Sequence, residues 1–150
     1  MSTSRHNKYE NLSAKDEEKE KDKDNKYLEY YYGGFKRKYT FDQRSHQSNY
    51  MLEKFNYQKI PIVVEYETSF PKKYILNIEK RKYLVSLDYL FGQFIMIIRK
   101  SLKLPPKYAI TLLVNNSMCR ASDYIESVYE SKKDKDDFLY VCVCLDATFG

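Results

Sequence analysis

The clearest periodic pattern of apolar residues lies in the middle of the chain, between residues 87 and 102. Apolar side chains recur there at steps of 3, 1, 3, 1, 3 and 4, which is the spacing of one buried helix face; they are Leu87, Leu90, Phe91, Phe94, Ile95, Ile98 and Leu102. Ser86 or Asp88 is expected to cap the start of this helix. Bulky residues at Lys82–Val85 predict a short β-strand just before it. A strand that leads into an amphipathic helix predicts an α+β domain in which the helix crosses a sheet.

The flanking segments supply the rest of that sheet and further helices. Thr40 is a suitable N-cap for a helix that continues to about Phe55. Apolar runs predict three more strands, at Ile60–Tyr66, Ile110–Val114 and Phe138–Leu145, and a short helix is expected at Ser122–Glu130. The last strand is apolar at every position, as expected for a central strand covered on both faces. The order helix, strand, strand, helix, strand, helix, strand favours a mixed sheet crossed by a helix, the ubiquitin-like β-grasp.

The N-terminal part of the chain shows no periodicity. Residues 15–26 contain five lysines, six acidic residues and one asparagine. Such a segment buries too little apolar surface to offset the entropy of ordering it, so disorder is favoured over a solvated single helix. Gly33-Gly34 then marks a linker. We therefore expect a disordered charged tail and linker in residues 1–35 and one ubiquitin-like domain in residues 36–150.

Composition and charge exclude several classes of protein. The sequence contains no run of about 18 apolar residues, so a membrane-spanning helix is not expected. Three cysteines with two histidines fit neither a disulfide framework nor a zinc site, which favours a reducing compartment. No nucleophile elbow or Gly-rich phosphate loop is present, so we expect neither an enzyme nor a cofactor. Residues 1–35 carry seven Lys/Arg and eight Asp/Glu, a net charge of −1. Since the whole chain has a net charge of +5, residues 36–150 have a net charge of +6. That excess suits acidic peptides, anionic lipid headgroups or nucleic acid, or serves solubility alone.

Several sequence blocks identify a family. They are IPIVVE at 60–65, KRKYLV at 80–85, GQF at 92–94, IRK at 98–100, LPP and AI within 104–110, VNN at 114–116, FLYV at 138–141 and TFG at 148–150. From about Lys36 onward the chain resembles the autophagy ubiquitin-like modifiers of the autophagy-related protein eight type, the group that contains GABARAP and the microtubule-associated light chains. The family usually begins with one more short helix, which Tyr30–Arg37 could supply.

The resemblance implies conjugation through the glycine at the C-terminal end, Gly150, with Thr148-Phe149 as its lead. Ubiquitin-like activating and conjugating enzymes would transfer it to phosphatidylethanolamine, placing a cytoplasmic protein on the autophagosome membrane. A residue without Cβ suits the narrow catalytic clefts of such enzymes. The alternatives are a modifier of the autophagy-related protein twelve class, which is joined to a protein lysine, and a non-covalent adaptor. A nucleic-acid partner is not expected.

The resemblance also implies that autophagy receptors dock through short aromatic-x-x-aliphatic motifs, pairing with the strand at Lys82–Val85. The aromatic pocket would be lined by Met51, Pro61, Lys82, Leu84 and Phe138. The aliphatic pocket would be lined by Tyr83, Val85, Tyr89, Phe94 and Ile97. Lys59, Lys82 and Arg99 would attract the acidic residues that flank such motifs. From spacing alone, Phe94 and Ile97 are equally well explained as core residues.

Departures from the family pattern bear on the docking site. Relatives usually have an acid at the position of Gln47, a proline at Ser86, a leucine at Tyr89 and an arginine at Ser101. A tyrosine in place of leucine is expected to reshape the aliphatic pocket. Peptide preference is therefore the property most exposed to these changes, and lipid attachment is less exposed.

Overall fold

The computed structural model describes residues 31–76, 78 and 80–146, together with Lys15 and Lys19. The described strands are β1 (Lys59–Tyr66), β2 (Lys82–Ser86), β3 (Ala109–Val114), β4 (Ser117–Met118) and β5 (Leu139–Asp146). The described helices are α1 (Phe35–Lys38), α2 (Phe41–Lys54), α3 (Lys72–Ile75), α4 (Phe91–Leu102) and α5 (Ile125–Lys132). The sheet order is β2-β1-β5-β3-β4, with β1 and β5 parallel and the other pairs antiparallel. The predicted β-grasp, a mixed sheet crossed by a helix, is confirmed.

Helices lie on both faces of this sheet. On one face α4 buries Phe91, Phe94 and Ile98 in the main core, together with alternate residues of β1 and β5. On the other face Phe35 of α1 forms a smaller core with Val63 and Phe138. Because α1 and α2 cover β1 but only the start of β5, five consecutive residues of β1 are buried, whereas β5 alternates between buried and half-buried positions. The strand covered on both faces is therefore β1, and the expectation that it is β5 is wrong.

The start of α4 differs from the prediction. The helix begins at Phe91, and residues 87 and 88 form a turn, so neither Ser86 nor Asp88 is its cap. Leu90 occupies the cap position, and its backbone N–H donates to Oε1 of Gln93 at 2.8 Å. The amides of the first turn are satisfied by tertiary contacts, which a search for local capping residues does not detect.

Those tertiary contacts come from the loop that precedes α5. The N–H of Phe91 donates to the carbonyl of Asp123 at 2.8 Å, and the N–H of Gly92 donates to the carbonyl of Ala121 at 3.0 Å. A Cβ on Gly92 would lie 3.0 Å from the Cβ of Ala121. This close approach is the reason for a glycine in the first turn of the helix.

The folded part of the chain begins earlier than predicted. Tyr31 is 2% exposed and Phe35 is fully buried. The hydroxyl of Tyr31 donates to the carbonyl of Ile78 at 3.0 Å, and the Arg81 guanidinium lies 5.3 Å from the Tyr31 ring centroid. Arg81 also pairs with Glu65 of β1 at 2.8 Å. The domain boundary placed at residue 36 is therefore too late by at least five residues, and the predicted disorder of residues 1–30 lies outside the described residues apart from Lys15 and Lys19.

The predicted cap of α2 is present and can be tested. Thr40 Oγ1 accepts from the N–H of Gln43 at 3.2 Å, and Gln43 Oε1 accepts from the N–H of Thr40 at 2.9 Å, which forms a capping box. We expect Thr40→Ala to lower the free energy of unfolding by about 1 kcal/mol in urea titrations. Thr40→Ser keeps the acceptor and should retain most of that stability. An equal loss in both variants would contradict the capping role.

Candidate peptide-docking edge

The strand β2 forms one edge of the described sheet. It pairs with β1 alone, from Lys59↔Ser86 to Val63↔Lys82, and no strand of the described residues lies on its other side. An edge strand of this kind presents backbone N–H and C=O groups with which an added strand can pair. Its side chains alternate between half-buried and buried positions, so the two faces of β2 contact different parts of the structure.

One face of β2 lies next to α2. Lys82 and Leu84 are half-buried on this face, and Leu84 pairs with Pro61 of β1. Met51 of α2 packs partly buried against the small core on the same face. Lys82 Nζ donates to Oε1 of Gln47 at 3.1 Å and so joins β2 to α2. Four of the five residues predicted for the aromatic pocket are thus brought to one face of the sheet.

The fifth residue of that set, Phe138, lies deeper than predicted. It is 0% exposed, and its ring meets that of Phe35 edge-on, with centroids 5.4 Å apart. Val63 completes the small core. Phe138 therefore belongs to the small core, against which Met51 packs, and presents no surface of its own.

The other face of β2 lies next to α4. Tyr83, Val85 and Phe94 belong to the main core, and the rings of Tyr83 and Phe94 meet edge-on at 5.8 Å. Tyr89 and Ile97 are half-buried and pack against this main core. All five residues predicted for the aliphatic pocket thus belong to the main core or pack against it, and of these Tyr89 and Ile97 are the two that are half-buried. Phe94 is a core residue, the second of the two explanations that its spacing allowed.

The cations predicted to flank the docking strand do not form one cluster. Lys59 pairs with the end of β2 at Ser86, whereas Lys82 begins the strand. The Lys59 ammonium lies 4.7 Å from the Phe55 ring centroid. Arg99 is on α4, where its Nη2 donates to the carbonyl of Pro105 at 3.1 Å.

Beside Ile97 and Arg99 lies an open groove that sequence reasoning missed. It has a volume of about 540 Å³ and is lined by Met96, Ile97, Arg99, Lys100, Lys103 and Leu104. Met96, one of the lining residues, is 62% exposed. Met96 and Lys100 are four residues apart, which places their side chains on one face of α4, and Lys103 follows as the C-cap of the helix. That spacing is the signal from which the groove could have been predicted.

A buried carboxylate holds α2 against the sheet. Asp136 is 0% exposed; its Oδ2 accepts from Arg44 Nε at 2.8 Å and from the Tyr140 hydroxyl at 2.5 Å, and its Oδ1 accepts from the N–H of Phe138 at 2.9 Å. The Ser48 hydroxyl donates to the Asp136 carbonyl at 2.5 Å. Burial, followed by the Asp136 carboxylate, raises the pKa of Tyr140 above its usual value, so its hydroxyl stays a donor. Arg44 and Ser48 both lie on α2, and this network fixes that helix against the sheet.

Comparison with known proteins places this architecture in a family. The family described as "Autophagy protein Atg8 ubiquitin like" matches residues 43–150. The chain belongs to the Atg8 family. Autophagy-related protein 8 of Vanderwaltozyma polyspora is 41% identical over 116 residues, covering 77% of this chain and 95% of that protein. Autophagy-related protein 8i of Arabidopsis thaliana is 39% identical over 116 residues, covering 77% and 97%. The crystal structure of Trypanosoma brucei ATG8 matches with a TM-score of 0.67 and 27% identity over 77% of this chain and 97% of that one.

The chain is therefore a ubiquitin-like protein of autophagy, as the resemblance implied. Gly150, the predicted conjugation residue, and Thr148-Phe149 lie outside the described residues. Within the described part of the chain, no helix is long and apolar enough to cross a membrane.

The role of the buried carboxylate is testable by substitution. Asp136→Ala leaves the Arg44 charge and the Tyr140 hydroxyl without their partner, so we expect a loss of about 3–5 kcal/mol in unfolding free energy. The matched control is Lys133→Gln, which removes the exposed pair with Asp137 and should cost about 1 kcal/mol or less. Chemical denaturation measures both. Similar small losses in the two variants would show that Asp136 does not anchor α2.

Proposed function

We propose that this chain is an autophagy modifier that is conjugated through Gly150 to phosphatidylethanolamine and that docks receptor peptides along β2. Family membership supports a place in autophagy. Activating and conjugating enzymes, receptors with short linear motifs and the membrane lipid are its proposed partners. The protein would move between the cytoplasm and the autophagosome membrane.

One observation carries the docking proposal: β2 is an edge strand with a different pocket on each face. Successive residues of an extended peptide point to opposite sides of the sheet, so an odd spacing is needed to fill both pockets. A spacing of three residues covers about 10 Å of strand. An aromatic residue beside Leu84 and an aliphatic residue beside Ile97 then satisfy both faces, which is the aromatic-x-x-aliphatic pattern.

The charge around the edge favours acidic peptides. Lys59 and Lys82 stand at the two ends of the β1–β2 pairing, and Arg99 and Lys100 line the groove on α4. Carboxylates that flank the motif would meet these cations through charge-assisted contacts. Such contacts raise association rates and specificity more than they raise affinity.

The docking proposal is tested by Leu84→Glu. A carboxylate in the proposed pocket between β2 and α2 should weaken binding of a synthetic acidic Trp-x-x-Leu peptide by about 2 kcal/mol or more, measured by fluorescence polarisation. Leu113→Glu is the matched control, because Leu113 is also half-buried but lies on β3. Circular dichroism establishes that both variants fold. Unchanged affinity in a folded Leu84→Glu protein would exclude this edge as the docking site.

The conjugation proposal rests on the family and on the chemistry of glycine. An activating enzyme adenylates the carboxylate with ATP, and an enzyme thiolate displaces AMP to form a thioester. The acyl group passes to the thiol of the conjugating enzyme, and the lipid amine finally displaces that thiol to form an amide. Two acyl chains suffice for stable anchoring, and the positive charge of residues 36–150 favours an anionic surface.

Gly150→Ala tests this chemistry, because a side chain at the acyl carbon hinders each transfer. We expect the membrane-bound form to be lost in flotation assays, with peptide binding unchanged. Mass spectrometry of the wild-type adduct distinguishes a lipid from a protein lysine. A lysine adduct, or flotation that survives the substitution, would refute the lipid proposal; the lysine adduct would instead support the protein-modifier alternative.

A further inference from the structure

The N-terminal segment of this chain carries a motif that matches its own docking edge. Aromatic residues occur in residues 1–30 at Tyr9, Tyr27 and Tyr30. Only Tyr9 is followed three positions later by an aliphatic residue, in the tetrapeptide Tyr9-Glu10-Asn11-Leu12. Because the two pockets lie on opposite faces of β2, this odd spacing is the one that they require.

The residues that follow the motif have the charge that the α4 groove attracts. Residues 16–24 contain six acidic residues and three lysines. Ile97, on the aliphatic side of β2, also lines the groove that holds Arg99, Lys100 and Lys103. With Leu12 near Ile97, residues 16–20 follow only four to eight positions later in the chain, within reach of these cations.

The chain enters the domain close to this edge. Tyr31 is fixed by its hydrogen bond to the Ile78 carbonyl, and Ile78 lies four residues before β2. Eighteen residues separate Leu12 from Tyr31. Eighteen residues reach at most about 60 Å, whereas β2 itself is about 13 Å long, so the linker is long enough for the motif to lie along the strand. A motif on a short tether of this kind would have an effective concentration in the millimolar range.

We propose that Tyr9–Leu12 docks on β2 of its own domain, with the acidic residues that follow it against Arg99, Lys100 and Lys103. The inference rests on the proposed peptide-docking function of β2. The segment then acts as an intramolecular competitor, and a receptor peptide binds only when it displaces the segment.

The test uses the full chain and the acidic Trp-x-x-Leu probe. With an effective concentration on the order of 1 mM and a motif dissociation constant on the order of 100 µM, the segment weakens probe binding about tenfold. We therefore expect the double variant Tyr9→Ala/Leu12→Ala to bind the probe about tenfold more tightly than the wild type. The matched control is Tyr27→Ala/Leu28→Ala, which removes the same residue types without the spacing and should leave the affinity unchanged.

The outcomes separate this inference from the function on which it rests. Equal affinities in wild type and Tyr9→Ala/Leu12→Ala, with Leu84→Glu still weakening binding, would overturn the intramolecular contact and keep the docking edge. Probe binding that Leu84→Glu does not affect would overturn the docking function itself. Equal tightening in the control variant would show an effect of the segment without its motif and would also overturn the inference. Sedimentation must show a monomer, because dimers that dissociate on Tyr9→Ala/Leu12→Ala would assign the motif to a second copy.

Discussion

The buried carboxylate of Asp136 is the constraint on which the docking side of this molecule depends. Only Ser48 and Leu52 of the fourteen residues of α2 are buried, so apolar burial alone attaches this helix weakly to the sheet. Asp136 supplies the attachment through Arg44 and Ser48. A buried charge tolerates little displacement of its partners, because an unpaired carboxylate in the interior is costly. The position of α2 is therefore set by polar groups. The same groups position one wall of the proposed pocket between β2 and α2.

A second ion pair has a similar role at the N-terminal entry. Arg81 pairs with Glu65, and its guanidinium lies against the rings of Tyr31 and Phe35. Because Arg81 immediately precedes β2, the entry of the chain is fixed beside the docking strand. The two ion pairs thus have separate effects around β2. The Arg44–Asp136 pair holds α2 beside the strand, and the Arg81–Glu65 pair fixes the position at which the N-terminal segment joins the domain.

The elements with strong periodicity were predictable from sequence, and those set by tertiary contacts were not. β1 and the body of α4 follow from apolar patterns, and the cap of α2 follows from Thr40 and Gln43. The start of α4 was misplaced because Asp123 and Ala121 satisfy its first amides. The four-residue helix α3 and the two-residue strand β4 are too short to produce a periodic signal. The assignment of pocket residues came from resemblance, and the burial of Tyr83 and Val85 could be known only once α4 was placed across them.

The open edge strand β2 is at once the proposed docking site and a hazard. Unpaired backbone groups on β2 can recruit any extended chain, including another copy of the same protein. The strand is only five residues long, and Lys82 places a charge at its start, which limits such pairing. Neither feature closes the edge, because a closed edge could not accept a receptor peptide. A tethered motif of moderate affinity meets both needs: it covers the edge when no partner is present and yields to a peptide that binds more tightly. The proposed intramolecular contact therefore answers a physical requirement that the domain cannot meet by itself.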